Sequence, residues 1–517
     1  MKKIIVIIAA ILVLMACNKE NVFLESPTNS VQETSGIKVN LTITRSDDIT
    51  TKATVKSAYA NNDVVFVFFK GVTAPKYLEM KYNSSSDTWI PTAKNNLTSS
   101  DISGAADRKM TAIYLPYGSA AIVAASEGNF IFSDMTYSGY FLKAEQVDYT
   151  FDENVLSGSL SMMAPTLSNN SDKLIHFDIS GFTSGHNYKL SQDYVKPLTF
   201  TSVSANGVLS MDEGTMGDAI TGYEDGSMMS FSGILDASAV GNELDYQFTI
   251  DDLTSSTLYT RDAGTKTLSS SKYIGIGAIN NTSVWNAFEY VDLGLPSGIR
   301  WAKCNLGASS ETDYGDYYAW GVTYPYYEIG YAKENPQNHW RANETIAGYV
   351  KSYSSYGYNW GPYKYCMGQS NCITKYCSDS MMGYEGFTDG KTTLDPEDDA
   401  AKTNLKGRWC MPSKDNIEEL CSNSNCTWTS QTNYNESGVN GYLVTSKSNG
   451  NSIFFPAVGY YLGKNLVESS NHFVGSYWSS TLTSFSSDAY TFGVGTSSYG
   501  LITDRRIYGF CIRPIIP

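Results

Sequence analysis

Ile37-Lys38-Val39-Asn40-Leu41-Thr42-Ile43-Thr44-Arg45 alternates an apolar, mostly β-branched residue with a polar one at every step. A period of two predicts a strand with one buried face. Further on, Val64-Val65-Phe66-Val67-Phe68-Phe69 is apolar without interruption behind Asn61-Asn62-Asp63, which reads as a turn opening onto a strand buried on both faces. Short apolar runs recur at Met110–Tyr114, Ile122–Ala125, Leu174–Ile179, Leu198–Val203, Met228–Leu235, Leu244–Ile250 and Tyr273–Ile279, separated by turn residues. No long stretch of this half carries a helical period. The expectation is a mainly β half built as a sandwich, with two lobes spanning 37–165 and 166–288.

The chain has 517 residues, so two or three domains are expected. Hydrophobic residues make up 42 % and charged residues only 17 %, which excludes a charge-driven disordered chain. Asp+Glu number 52 against 37 Lys+Arg, and 37 − 52 leaves a net charge of −15. That balance argues against a nucleic-acid partner. With only 4 His, a His-based metal centre is also unexpected, and no cofactor is expected.

The start has the form of a secretory signal. Met1-Lys2-Lys3 is followed by an apolar run from Ile4 to Ala16 that is too short to span a bilayer. The run ends Leu14-Met15-Ala16-Cys17, so that 1–17 resembles a lipoprotein signal with its bacterial lipobox Cys; this implies cleavage before Cys17, acylation of Cys17 as the new first residue and an outer-membrane lipid anchor. Asn18-Lys19-Glu20 behind it resembles the surface-export signals of Bacteroidetes lipoproteins, and 18–36 reads as a polar tether.

Thr51-Lys52-Ala53-Thr54, Asn62-Asp63-Val64-Val65-Phe66-Val67-Phe68, Tyr114-Leu115-Pro116-Tyr117 and Met162-Met163-Ala164 together resemble the Bacteroidetes fimbrillin family over about 37–285. The usual Phe-x-His of the last segment is replaced by His176-Phe177-Asp178. The resemblance implies two transthyretin-like lobes and a role in type V pili. It also implies a lipoprotein precursor, cut by a trypsin-like protease behind the first strand. The next subunit then donates a strand to the opened groove, so other pilin subunits are the expected partners. Arg45 precedes Ser46-Asp47-Asp48 and is the first processing candidate, at Arg45/Ser46; Lys52 is the second. Losing 37–44 would expose an apolar groove and unpaired backbone groups, an invitation to strand addition.

Composition changes near 285–290. Cys is absent from 18 to 303, and then come Cys304, Cys366, Cys372, Cys377, Cys410, Cys421, Cys426 and Cys511. An even number in an exported domain permits disulfides, and Cys421 with Cys426 flank only Ser-Asn-Ser-Asn. Free buried thiols are the alternative.

Ordered motifs follow: Val291-Asp292-Leu293-Gly294-Leu295-Pro296-Ser297-Gly298, Gly315-Asp316-Tyr317-Tyr318-Ala319-Trp320-Gly321, Arg408-Trp409-Cys410-Met411-Pro412-Ser413, Phe454-Phe455-Pro456-Ala457, Tyr477-Trp478-Ser479-Ser480 and Tyr508-Gly509-Phe510-Cys511-Ile512-Arg513-Pro514. In this order they resemble the Fibrobacter succinogenes major paralogous domain family over 289–517. The resemblance implies an α+β fold like those of C-type lectins and formylglycine-generating enzymes. Read as residues, the motifs are scaffold: Leu-Pro-Ser-Gly is turn chemistry, Ser413 is an N-cap, and Trp301, Trp409 and Trp478 are core. The acids at 395, 397, 398 and 399 sit at a helix start, where they favour the dipole over catalysis or metal binding. No enzyme activity is expected.

The candidate ligand surface is the aromatic stretch that includes Tyr326, Tyr327, Trp340, Tyr358 and Trp360, set among Gly, Asn and Ser. Tyr and Trp give rigid amphipathic contact at low entropy cost, and their rings stack on sugars. The expected function is therefore a pilus-associated, surface-exposed lipoprotein adhesin that grips a host or microbial glycan or protein. A tip position is expected, because only Pro514-Ile515-Ile516-Pro517 follow Arg513, too little to donate a strand. A glycan-capture lipoprotein of the outer membrane that does not polymerise is the alternative, with an enzyme on the lectin-like fold as a third reading.

Overall fold

The computed structural model describes residues 32–34, 36–45, 59, 61 and 63–517, except 74–75, 93–96, 105–106, 116–120, 125–128, 134–141, 237, 239–242, 246, 262–264, 268–272, 326–344, 347–348, 351–356, 468–473 and 496–497. The chain is mainly β. Its first sheet runs, in spatial order, Gln32–Thr34, Ile37–Arg45, Val155–Met162, Leu142–Asp152, Lys109–Leu115, Val64–Phe69, Leu78–Asn83 and Thr88–Pro91. The alternation read in 37–45 is realised residue by residue. Ile37, Val39, Leu41 and Ile43 are buried in the first core, while Lys38 is exposed and Asn40, Thr42 and Thr44 are half-buried.

The unbroken run Val64–Phe69 is buried along its whole length because its two faces serve two cores. Val65, Val67 and Phe69 enter the first core. Val64, Phe66 and Phe68 meet Phe130, Phe132, Leu198 and Phe200 in a second one. That second core is roofed by a four-stranded sheet in the order Leu209–Glu213, Leu198–Val203, Phe130–Ser133, Ala121–Ala124. The pairing of Ser202 with Ile131 and of Val203 with Phe130 therefore ties the two lobes together across the 165/166 boundary.

The second lobe is a sandwich of two sheets. One contains Lys173–Ser180, Met228–Leu235 and Tyr273–Ala278. The other runs Ile220–Thr221, Tyr188–Ser191, Thr249–Asp252, Thr257–Arg261, Trp285–Asp292, Arg300–Ala302, Ile515–Ile516. Phe177, Ile179 and Phe231 from the first meet Leu190, Ile250 and Trp285 from the second. The sequence boundary at 288/289 falls inside Trp285–Asp292. That strand pairs on one side with Thr257–Arg261 of the lobe and on the other with Arg300–Ala302 of the carboxy-terminal module.

The module sets two three-stranded antiparallel sheets beside two short helices, Ala400–Leu405 and Lys414–Cys421. Asp399 and Ser413 cap the helices, accepting from the backbone N–H of Lys402 and Asn416 at 2.9 and 3.2 Å. Trp301, Trp320, Trp409 and Trp478 are all buried. Trp320 and Trp478 cross-brace the motifs: one indole N–H donates to the Ser479 carbonyl at 2.8 Å, the other to the Tyr318 carbonyl at 2.7 Å. Among the described residues, no helix is long and apolar enough to cross a membrane.

Candidate functional site

The first candidate is the seam between Ile37–Arg45 and Val155–Met162. The two strands run parallel, in register from Lys38 opposite Val155 to Arg45 opposite Met162. Parallel neighbours cannot be joined by a tight turn, so the first strand lies beside a partner more than a hundred residues away in sequence. On its other flank Gln32–Thr34 covers only Ile37, Lys38 and Val39. From Asn40 onward it is an edge strand among the described residues. Its grip comes from side chains, each of the four buried ones contributing about 1.5–3 kcal/mol. Gly158, opposite Leu41, leaves them room: a Cβ there would meet Met110 Cε at 2.7 Å and Leu41 Cδ2 at 3.5 Å. Arg45 is the last described residue before 59, and it closes the strand. Ser46, Lys52 and Cys17 lie outside the described residues.

Of the proposed ligand aromatics, Tyr326, Tyr327 and Trp340 also lie outside them. Tyr358 corrects the expectation of a loop-surface ring. It is 2 % exposed, packs 5.4 Å from Tyr461, sits directly over Gly509 and donates to the Tyr317 carbonyl, so it is core. Trp360 is half-buried, its ring edge-on to Tyr363 at 5.8 Å.

The acidic cluster is already occupied by cations. Lys375 Nζ lies 2.7 Å from Asp395 and 3.5 Å from Glu397 and is bonded to Asp398, which also meets Lys364 at 3.0 Å. Burial raises the Asp398 carboxyl, but bonds from Lys375, Tyr365, Tyr376 and Lys364 outweigh it and hold the group well below the usual carboxylate range. The three carboxylates converge within 4.8 Å, and an ammonium stands where a metal ion would have to sit.

Cys421 and Cys426 are free thiols, at the end of one helix and the start of the following strand. Burial pushes them up to about 12 and about 11. Cys410 is likewise raised by burial to about 12. These thiols stay protonated at neutral pH and are poor nucleophiles or metal ligands.

Sequence reading missed a buried polar ladder in the second lobe. His176 Nδ1 lies 2.7 Å from Ser232 Oγ, its Nε2 lies 3.1 Å from Asp178, and Ser230 donates to Asp178 at 2.6 Å. The signal was the His-x-Asp spacing between Ile175, Phe177 and Ile179, which puts both polar groups on one strand face. The set has the composition of a nucleophile relay. However, Ser232 and His176 are both buried and face each other inside the sheet, so the hydroxyl is closed off from a substrate carbonyl.

No family model matches the chain, and no curated protein matches it. Among solved structures, a fimbrial protein from Bacteroides ovatus aligns over 93 % of this chain and 99 % of its own, at 11 % identity and a TM-score of 0.19. A candidate adhesin from the same species aligns over 53 % of this chain and 91 % of its own, at 10 % identity and a TM-score of 0.16.

Proposed function

We propose that this chain is a pilus-associated adhesin of the cell surface, carried there by a lipid on Cys17 of the precursor. Its amino-terminal half is a subunit whose first strand is replaceable by a neighbour's strand, and its carboxy-terminal module is a passive grip for a glycan or protein ligand. One observation carries this reading: Ile37–Arg45 is a parallel, largely edge-on strand that fills an apolar groove and ends in a basic residue. Cutting behind Arg45 would convert a covalent strand into a removable one and bare the Val155–Met162 backbone for augmentation. A passive module is supported by its protonated thiols and lysine-bound acids. The proposed position within the fibre is the tip. The test is amino-terminal sequencing of fibre-incorporated chain together with immunogold labelling. The reading expects a start at Ser46 and gold at fibre ends. An intact Cys17 start on assembled fibres rejects the strand release, and gold along the shafts rejects the tip.

A further inference from the structure

Where the shared strand Trp285–Asp292 leaves the second lobe, a cleft of about 700 Å³ opens between it, the 308–312 loop and the 434–437 turn. That size lies in the range of small-ligand sites. Its aromatic wall is Tyr434, stacked face to face on Phe454 with ring centres 3.9 Å apart and planes within 8°. One ring face is therefore fixed from behind and the ring lines the opening. Facing it is a charged row: Lys303 Nζ is 2.7 Å from Glu289 and 3.7 Å from Glu311, and Glu311 accepts from the Tyr434 hydroxyl at 3.4 Å. Asn435 and Ser437 complete the rim with polar groups.

The arrangement is held rigid from beneath by a buried cation. Arg513, 1 % exposed, donates to the Lys303 carbonyl at 2.9 Å and to the Phe454 carbonyl at 2.9 Å, fixing together the two backbones that carry the charged row and back the aromatic wall. The turn that carries Tyr434 is also locked. Asn433, Asn435 and Glu436 take left-handed φ of 52°, 50° and 61°, and Tyr434 N–H donates to the Val439 carbonyl at 2.8 Å. Such backbone persists only where its surroundings over-determine it.

We infer that this cleft is the ligand site of the module and takes a neutral saccharide, an assignment that rests on the adhesin reading and names its substrate class. A pyranose offers an apolar face to a pinned ring and hydroxyls that both donate and accept, matching two carboxylates and one ammonium in a row. Two acids against one base disfavour phosphate or sialate, and Lys303 between the acids disfavours a guanidinium.

The test titrates the purified full chain with lactose, mannotriose and chitotriose by calorimetry and saturation-transfer NMR, with sialyllactose and an arginine-rich peptide as charged comparisons. At least one neutral sugar binds. Tyr434→Ala weakens it about tenfold or more, Glu311→Gln weakens it less, and Tyr434→Phe keeps most of the affinity; near-UV circular dichroism confirms that each variant is folded. The assignment is overturned if no neutral sugar binds, if only a charged probe binds, or if Tyr434→Ala leaves affinity unchanged. Fibre incorporation separates the two claims: a Tyr434→Ala chain that enters fibres but is sugar-blind supports both, and an unaltered chain that binds sugar but never enters fibres sinks the pilus reading alone.

Discussion

The chain contains two β seams of opposite character. At the front, Ile37–Arg45 leans on Val155–Met162 through a parallel ladder and four apolar side chains, with little on its outer flank. At the rear, Trp285–Asp292 is antiparallel to partners on both sides. Its joint is filled by Leu258, Tyr290, Trp409 and Ile516, and tightened where Asp251 accepts from Tyr290 at 2.9 Å and pairs with Arg300. Gly407 (φ 56°) lets the module close on the lobe, since a Cβ there would meet Thr249 Oγ1 at 2.5 Å. Both seams are strands added to a sheet. The first is held by a ladder along one flank and by side chains sunk into one core; the second is woven into the structures on either side. A groove-filling strand suits exchange, and a shared strand suits transmission of load from a gripping module to its carrier.

This contrast can be broken at the rear first. Trp409→Ala removes the largest side chain of the joint and is expected to cost about 3–5 kcal/mol. Denaturant unfolding should then separate the module from the second lobe as two transitions. A single unchanged transition would mean that the shared strand alone couples them.

At the front, Leu41→Ala should cost about 2–5 kcal/mol. Hydrogen exchange should show the loss confined to Ile37–Arg45 and Val155–Met162. Loss of protection in the module would show that the seams are not independent.

The smallest effect is pH-dependent and belongs to the module alone. Burial, with help from Asp488, raises Asp504 to about 6. The folded state thus favours its protonated form, so stability is greatest below the unfolded value of about 4 and declines as pH rises through the folded value. Discounted for the solvent that reaches this partly exposed carboxyl, Asp504→Asn should stabilise the chain by at most on the order of 1 kcal/mol at pH 7.5 and change nothing at pH 4, as read by thermal unfolding at the two pH values.

Much of the front half was legible because period-two burial leaves a direct trace: Ile37, Val39, Leu41 and Ile43 are where the alternation puts them. The Trp residues of the rear motifs and the Ser413 cap were equally readable, because bulk and local hydrogen bonding act at short range. What escaped depends on distant partners. The double burial of Val64–Phe69 was legible in its unbroken apolar run, but that its second face meets Phe130 and Leu198 was not. The composition change near residue 288 marks a change of amino-acid use, while the polypeptide runs straight through it as one strand. Tyr358 reads as a loop aromatic until Tyr461 and Gly509 close over it. The Tyr434 cleft joins side chains more than a hundred positions apart, so no local pattern announces it.

The central claim is that the first strand is a replaceable part, and the most direct measurement is strand complementation. The chain is produced from Ser46 onward and mixed with a synthetic peptide covering residues 37–45. The account predicts that the shortened chain alone melts at a lower temperature, binds the peptide one to one and regains its unfolding midpoint, while a peptide carrying Val39→Asp and Leu41→Asp does nothing. A shortened chain that melts with the full-length protein and ignores the peptide would contradict it.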